Sequence, residues 1–126
     1  MALVRAIRGA ATVGENDAKQ IVEAAKGLLS EMMHRNNLCE ENLISILFTV
    51  TTDLDQAFPA RAARELGLTQ TPLMCATEIA VPGSLSRCIR VMIHCYTDLS
   101  KEEIQHVYLG EAASLRPDLA GSGVDD

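Results

Sequence analysis

A chain of 126 residues with 48% hydrophobic and 22% charged side chains can bury one core but not two, and it excludes general disorder. A net charge of -6 and 3% aromatic content exclude nucleic acid or an anionic membrane as the main partner, since both favour a basic footprint. No apolar run approaches the ~20 residues of a membrane span, and Cys39, Cys75, Cys88 and Cys95 form neither a C-x-x-C pair nor a His-rich cluster, so reduced thiols, no metal and a cytoplasmic location are expected.

Val4 to Ala11 alternates as a strand does, with Gly9 permitting a bulge or a close backbone approach and Arg8 at the strand terminus. Asp17 and Gln20 read as a capping box, and Ile21, Ala25, Leu28 and Met32 recur at helical spacing, which predicts an amphipathic helix from Ala18 to Arg35. His34 and Arg35 suit its negative end, and Asn36 with Asn37 closes it in a left-handed turn. Leu43 to Thr51 is nearly continuous apolar and β-branched sequence, the pattern of a doubly buried strand at the centre of a sheet. Pro59 fits the first turn of a second helix, Ala60 to Leu66, which sets Arg61 and Arg64 on one face and stops at Gly67.

Thr71 to Thr77 predicts a short strand that bends before Pro82 and Gly83. Along Cys88 to Tyr96 the odd positions Ile89, Val91, Ile93 and Cys95 make an apolar face, and Cys88, Arg90, Met92, His94 and Tyr96 make a mixed one. Ser100 caps a turn through Glu103, a last strand is expected from His106 to about Leu115, and Pro117 ends regular structure. One domain over 1–119 followed by a solvated tail over 120–126 completes the chain. Helices alternating with strands and a closing strand pair describe an α+β (α/β-like) domain, a mixed sheet with helices on one face. Two helices leave the other face bare, and packing against the same face of further copies would make a symmetric oligomer.

Nucleophile elbow, catalytic triad, phosphate-cradling glycine loop and metal-ligand spacing are all missing. His34, His94 and His106 are scattered and read as surface or packing residues. Arginines at the ends or faces of short elements remain: Arg8, Arg64, Arg90 and Arg116. Arg90 stands out, because a charge in mid-strand among apolar residues costs several kcal/mol if buried unpaired. It needs an anion, either Glu78 or a ligand. Glu78 itself reads equally as a salt-bridge partner, a general base or an acceptor for a ligand hydroxyl, and Tyr108 as a carboxylate donor or a core residue.

Five segments then carry a family resemblance: V-R-A-I-R-G-A-A-T-V at the start, F-P-A-R-A-A-R-E-L, P-L-M-C-A-T-E-I, S-R-C-I-R-V-M-I, and H-V-Y-L followed by L-R-P-D-L. In order and spacing these resemble chorismate mutases of the AroH class over Val4 to Leu119. The resemblance implies a homotrimer with a pseudo-α/β-barrel core, clefts between subunits, and a cofactor-free pericyclic conversion of chorismate to prephenate in phenylalanine and tyrosine synthesis. It implies that Arg8 and Tyr108 grip carboxylate, that Cys75 and Glu78 meet the ring hydroxyl, and that Arg90 stabilises charge on the ether oxygen. It further implies that Phe58, Ala60 and Arg61 close the cleft from a neighbouring subunit, with Arg64 and Arg116 near the entrance and Leu73, Met74 and Leu115 lining it. Two rivals compete with it: a trimeric hydrolase or deaminase using Cys75 or Glu78, and a dicarboxylate-binding sensor without turnover.

Overall fold

The computed structural model describes residues 2–114. Leu115, Arg116, Pro117 and the tail lie outside the described residues. Among those described, β1 (Leu3–Thr12), β2 (Leu43–Val50), β3 (Leu73–Thr77), β4 (Cys88–Thr97) and β5 (Val107–Leu109) form one sheet in the order β3-β2-β4-β1-β5. β4 is antiparallel to both β1 and β2, whereas β3 joins β2 and β5 joins β1 in parallel, so the sheet is mixed. The helices α1 (Ala18–Arg35) and α2 (Arg61–Glu65) complete an α+β domain.

The central strand is β4, not the Leu43 segment expected there. β2 alternates between fully and partly buried positions, so its continuous apolar run reflects one core face and one half-covered face. In β4 the odd residues Ile89, Val91, Ile93 and Cys95 are all buried. They share a core with Ile7, Ile46, Phe48 and the inner stripe of α1, formed by Ile21, Val22, Ala25, Leu28, Leu29 and Met32. Each such side chain contributes roughly 1.5–3 kcal/mol of transfer free energy. Ala62 and Ala63 of α2 join the same core, which places both helices on one side of the sheet.

α1 begins where expected: the Asp17 carboxylate accepts the Gln20 amide at 3.1 Å. The return bond of the capping box is displaced, since Gln20 Oε1 accepts from the amide of Glu15 instead. Asn37, at φ 57°, supplies the left-handed turn after the helix. Gly9 has the close approach that its position predicts. A Cβ there would overlap Met32 Sδ and stand 3.0 Å from Leu28 Cδ1, so only glycine lets α1 settle this near β1.

Two expectations about strand ends change. Arg8 lies inside β1, four residues before its end, because the ladder with β4 runs on to the Thr12–Cys88 pair. The last strand is three residues long and pairs with β1, not with its predecessor in the chain. Gly110, at φ 61° and with a Cβ position only 2.8 Å from Thr12 Oγ1, turns the chain into the 3-10 turn Gly110–Ser114. That turn covers a small second cluster of Ala10, Cys88 and Ala112 on the sheet's outer face.

Candidate active site

Strand parity and register create the site. Reading across the sheet, Ala76 of β3, Thr49 of β2, Arg90 of β4, Ala10 of β1 and Tyr108 of β5 are successive cross-strand partners. All lie on the face away from α1. Met74, Leu47, Met92 and Arg8 form the next row on that face. Strands are about 4.8 Å apart, so Arg90 and Tyr108, two strands apart, stand roughly 10 Å from each other. Ala10 between them fills little of that space.

The result is a hollow of about 200 Å³ lined by Arg8, Thr49, Glu78, Arg90, Met92 and Tyr108. Glu78 follows directly on β3, its amide held by the carbonyl of Val50 at 2.8 Å. Its Oε1 accepts from Thr49 Oγ1 at 2.7 Å, which leaves Oε2 3.9 Å from Arg90 Nε. The two side chains are 38% and 29% exposed, so the pair is reachable from solvent. Arg90 therefore has the anion that its position demanded. Glu78 and Arg90 also border a second hollow of about 580 Å³ that reaches Leu85, Cys88 and Ser114.

Cys88 lies beneath Arg90 with 2% exposure. Burial pushes its thiol up to about 11, against the opposing pull of the Arg90 charge. The loop before it is anchored by Asp53, whose two carboxylate oxygens accept the Arg87 amide at 3.1 and 3.0 Å, and by Thr51 Oγ1, which accepts the Cys88 amide at 3.0 Å. Those contacts fix the start of β4 and thus the height of Arg90.

The remaining candidates are elsewhere. Leu73 and Cys75 pair with Ile46 and Phe48 and point to the helix side, one residue out of phase with Met74 and Ala76. Cys75 lines a separate cleft of about 400 Å³ with Phe58, Pro59 and Thr77. Within one chain, the Cys75 side chain and the Arg90 hollow are on opposite faces of the sheet. Phe58 is 72% exposed, whereas Ala60 is buried in its own core. Arg61 and Arg64 are exposed, with Arg61 Nε held 2.8 Å from Glu65. Leu115 and Arg116 lie outside the described residues.

Sequence reading missed Thr49. Thr49 is a hydroxyl inside an apolar strand, a signal that counting apolar residues alone obscures. Among the described residues no group of three or more His, Cys, Asp or Glu side chains could hold a metal ion, and no helix is long and apolar enough to cross a membrane.

The family model for chorismate mutase type I matches residues 4–119. The chain belongs to the type I chorismate mutase family. It is similar to chorismate mutase AroH of Thermus thermophilus, with 48% identity over 93% of this chain and 97% of the relative. It is also similar to chorismate mutase AroH of Bacillus subtilis (strain 168), with 40% identity over 94% of each chain. A solved chorismate mutase from Clostridium thermocellum superposes with a TM-score of 0.87 at 58% identity, covering 88% of this chain and 99% of that one. The chain is thus a chorismate mutase, an isomerase, and neither the hydrolase or deaminase rival nor the sensor rival gains support.

Proposed function

We propose that this chorismate mutase rearranges chorismate to prephenate in the hollow between Arg90, Glu78, Arg8 and Tyr108. The observation that carries the reading is the shared outer face of β1, β4 and β5, which sets two arginines and a tyrosine around one cavity, with the Glu78 carboxylate brought in at the end of β3. A pericyclic rearrangement breaks a carbon–oxygen bond while a carbon–carbon bond forms, with no nucleophile and no proton transfer. The protein has two tasks. One is to hold the flexible substrate with its reacting carbons in contact, which removes entropy from the barrier. Arg8 and Tyr108 grip carboxylate for this purpose, and Glu78, steadied by Thr49, accepts the ring hydroxyl.

The second task is selective for the transition state: as the ether bond stretches, negative charge grows on its oxygen, and Arg90 stabilises it. Prephenate then feeds phenylalanine and tyrosine synthesis. The four free thiols suit a reducing cytoplasm. The assay is loss of the ultraviolet absorption of chorismate with prephenate as product, run beside Arg90→Ala. Near-normal turnover by the folded variant would reject the site.

The reading extends to a homotrimer with a barrel-like core, in which Phe58, Ala60 and Arg61 of one subunit close the site of the next, with Arg64 near the entrance, Leu73 and Met74 along the wall, and Cys75 joining Glu78 at the ring hydroxyl. Exposed Phe58, Met74, Ile79 and Val81 support it, since a bare apolar surface of this kind favours association. For Ala60, buried in its own chain, only the backbone is available for such a contact. Mixing an Arg90→Ala chain with an Arg61→Ala chain should restore activity above either alone. No recovery after demonstrated subunit exchange would separate the sites from the interfaces.

A further inference from the structure

We infer that His106 is a positioning residue for the carboxylate grip, acting through the backbone of Arg8. The inference rests on the proposal that Arg8 and Tyr108 hold the substrate. β5 consists of three residues, and its parallel ladder with β1 begins only at the Gly9–Val107 pair. So short a strand is weakly specified by its own pairing. The amide of Arg8 lies one residue before that ladder, and its partner is a side chain: His106 Nδ1 at 2.9 Å. A backbone amide can only donate, so Nδ1 accepts and carries no proton, and any proton on the neutral ring is at Nε2.

A second clasp fixes the residue just before. Asn36, 2% exposed at the end of α1, donates to the carbonyls of Met32 and Gln105 and accepts the Gln105 amide, each at 2.8 Å. With the Gln105 backbone held by Asn36, the imidazole takes over the role that the next ladder bond would have played. One ring thereby ties the strand that carries Arg8 to the strand that carries Tyr108, two residues after His106. Loss of this acceptor lets the two gripping groups shift relative to each other while leaving Arg90 in place, so substrate affinity suffers before turnover does.

The test compares two replacements of similar shape. In His106→Asn, Oδ1 hangs from Cγ as Nδ1 does and can accept the Arg8 amide; in His106→Leu a methyl group stands there. The leucine variant should raise KM about three- to tenfold, the worth of one neutral hydrogen bond, with kcat within about twofold of wild type. The asparagine variant should keep KM within about twofold. Equal KM values for the two variants, whether both low or both high, would overturn the inference, since packing alone would then account for the histidine. Arg8→Ala is measured alongside. If it raises KM while the two His106 variants agree, only the His106 inference fails; if it leaves KM unchanged, the grip assigned to Arg8 fails and takes this inference with it. Should His106→Leu not fold, nitrogen NMR of the wild-type chain decides: an unprotonated Nδ1 coupled to the Arg8 amide at neutral pH supports the link, and a protonated Nδ1 overturns it.

Discussion

The two faces of β4 are built from the same ten residues and do opposite work. On the inner face, Ile89, Val91, Ile93 and Cys95 are all buried against α1 and its neighbours. On the outer face, Cys88 is buried, Arg90, Met92 and His94 are partly exposed, and Tyr96 is exposed. The inner face gains stability from apolar area removed from water, which has no direction and tolerates no charge. The outer face keeps a guanidinium near a carboxylate, an arrangement with little net stability in a half-exposed setting and strong directionality toward a ligand. Substitutions on the two faces should therefore move different observables.

The largest expected effect is on the inner face. Phe48 is fully buried beside Val91, and Phe48→Ala should lower the unfolding free energy by about 3–5 kcal/mol in denaturant titrations while the folded fraction retains near-normal kcat/KM. A loss of activity at full folding would break the division between faces. The outer-face counterpart is Arg90→Ala, expected to cost at least about 3 kcal/mol in activation free energy, by analogy with deleting an oxyanion-hole donor. Its unfolding free energy should move by less than about 1 kcal/mol, because the 3.9 Å contact with Glu78 is solvent-screened.

The inner face was the legible one. Helical spacing located α1 from Ala18 to Arg35, and period-two alternation identified the buried side of β4, because both patterns follow from backbone geometry alone. Arg90 was legible for the same reason, as a charge on an otherwise apolar strand. What parity within single strands does not contain is the register between them. Parity alone puts β2 at the centre of the sheet and runs the last strand past Gly110. His106 reads as a surface or packing residue because its partner is a backbone amide 98 positions away, and no local pattern marks such a contact.

Gly9 couples the two faces, since its backbone separates the α1 contact from the Arg8 hollow. In Gly9→Ala the added methyl must displace the Met32 side chain, which is fully buried. Overpacking of this sort should cost about 1–3 kcal/mol of stability. If β1 yields instead of Met32, Arg8 moves with it, and KM for chorismate rises as well. A calorimetric loss with unchanged KM would show that the helix side absorbs the strain and would sharpen the separation of the faces.

The smallest effect tests a charge remote from both faces. Glu40 Oε2 accepts the amides of Gln70 and Thr71 at 2.9 and 3.1 Å and the Thr71 hydroxyl at 2.9 Å, fixing the loop that leads into β3. The Gln70 amide bond is the main cause holding its carboxyl below the usual carboxylate range, with desolvation opposing it. A carboxyl lowered on folding binds its proton more weakly in the native than in the unfolded state. Its contribution is therefore present above the unfolded value and is lost as pH falls through the folded one. Glu40→Gln keeps an acceptor but removes the charge. The difference in Tm between wild type and this variant should be widest at neutral pH and close as the solution is acidified below 4.5. A gap that stays constant across that range would mean that the shape of the acceptor, rather than its ionisation, holds the entry to β3.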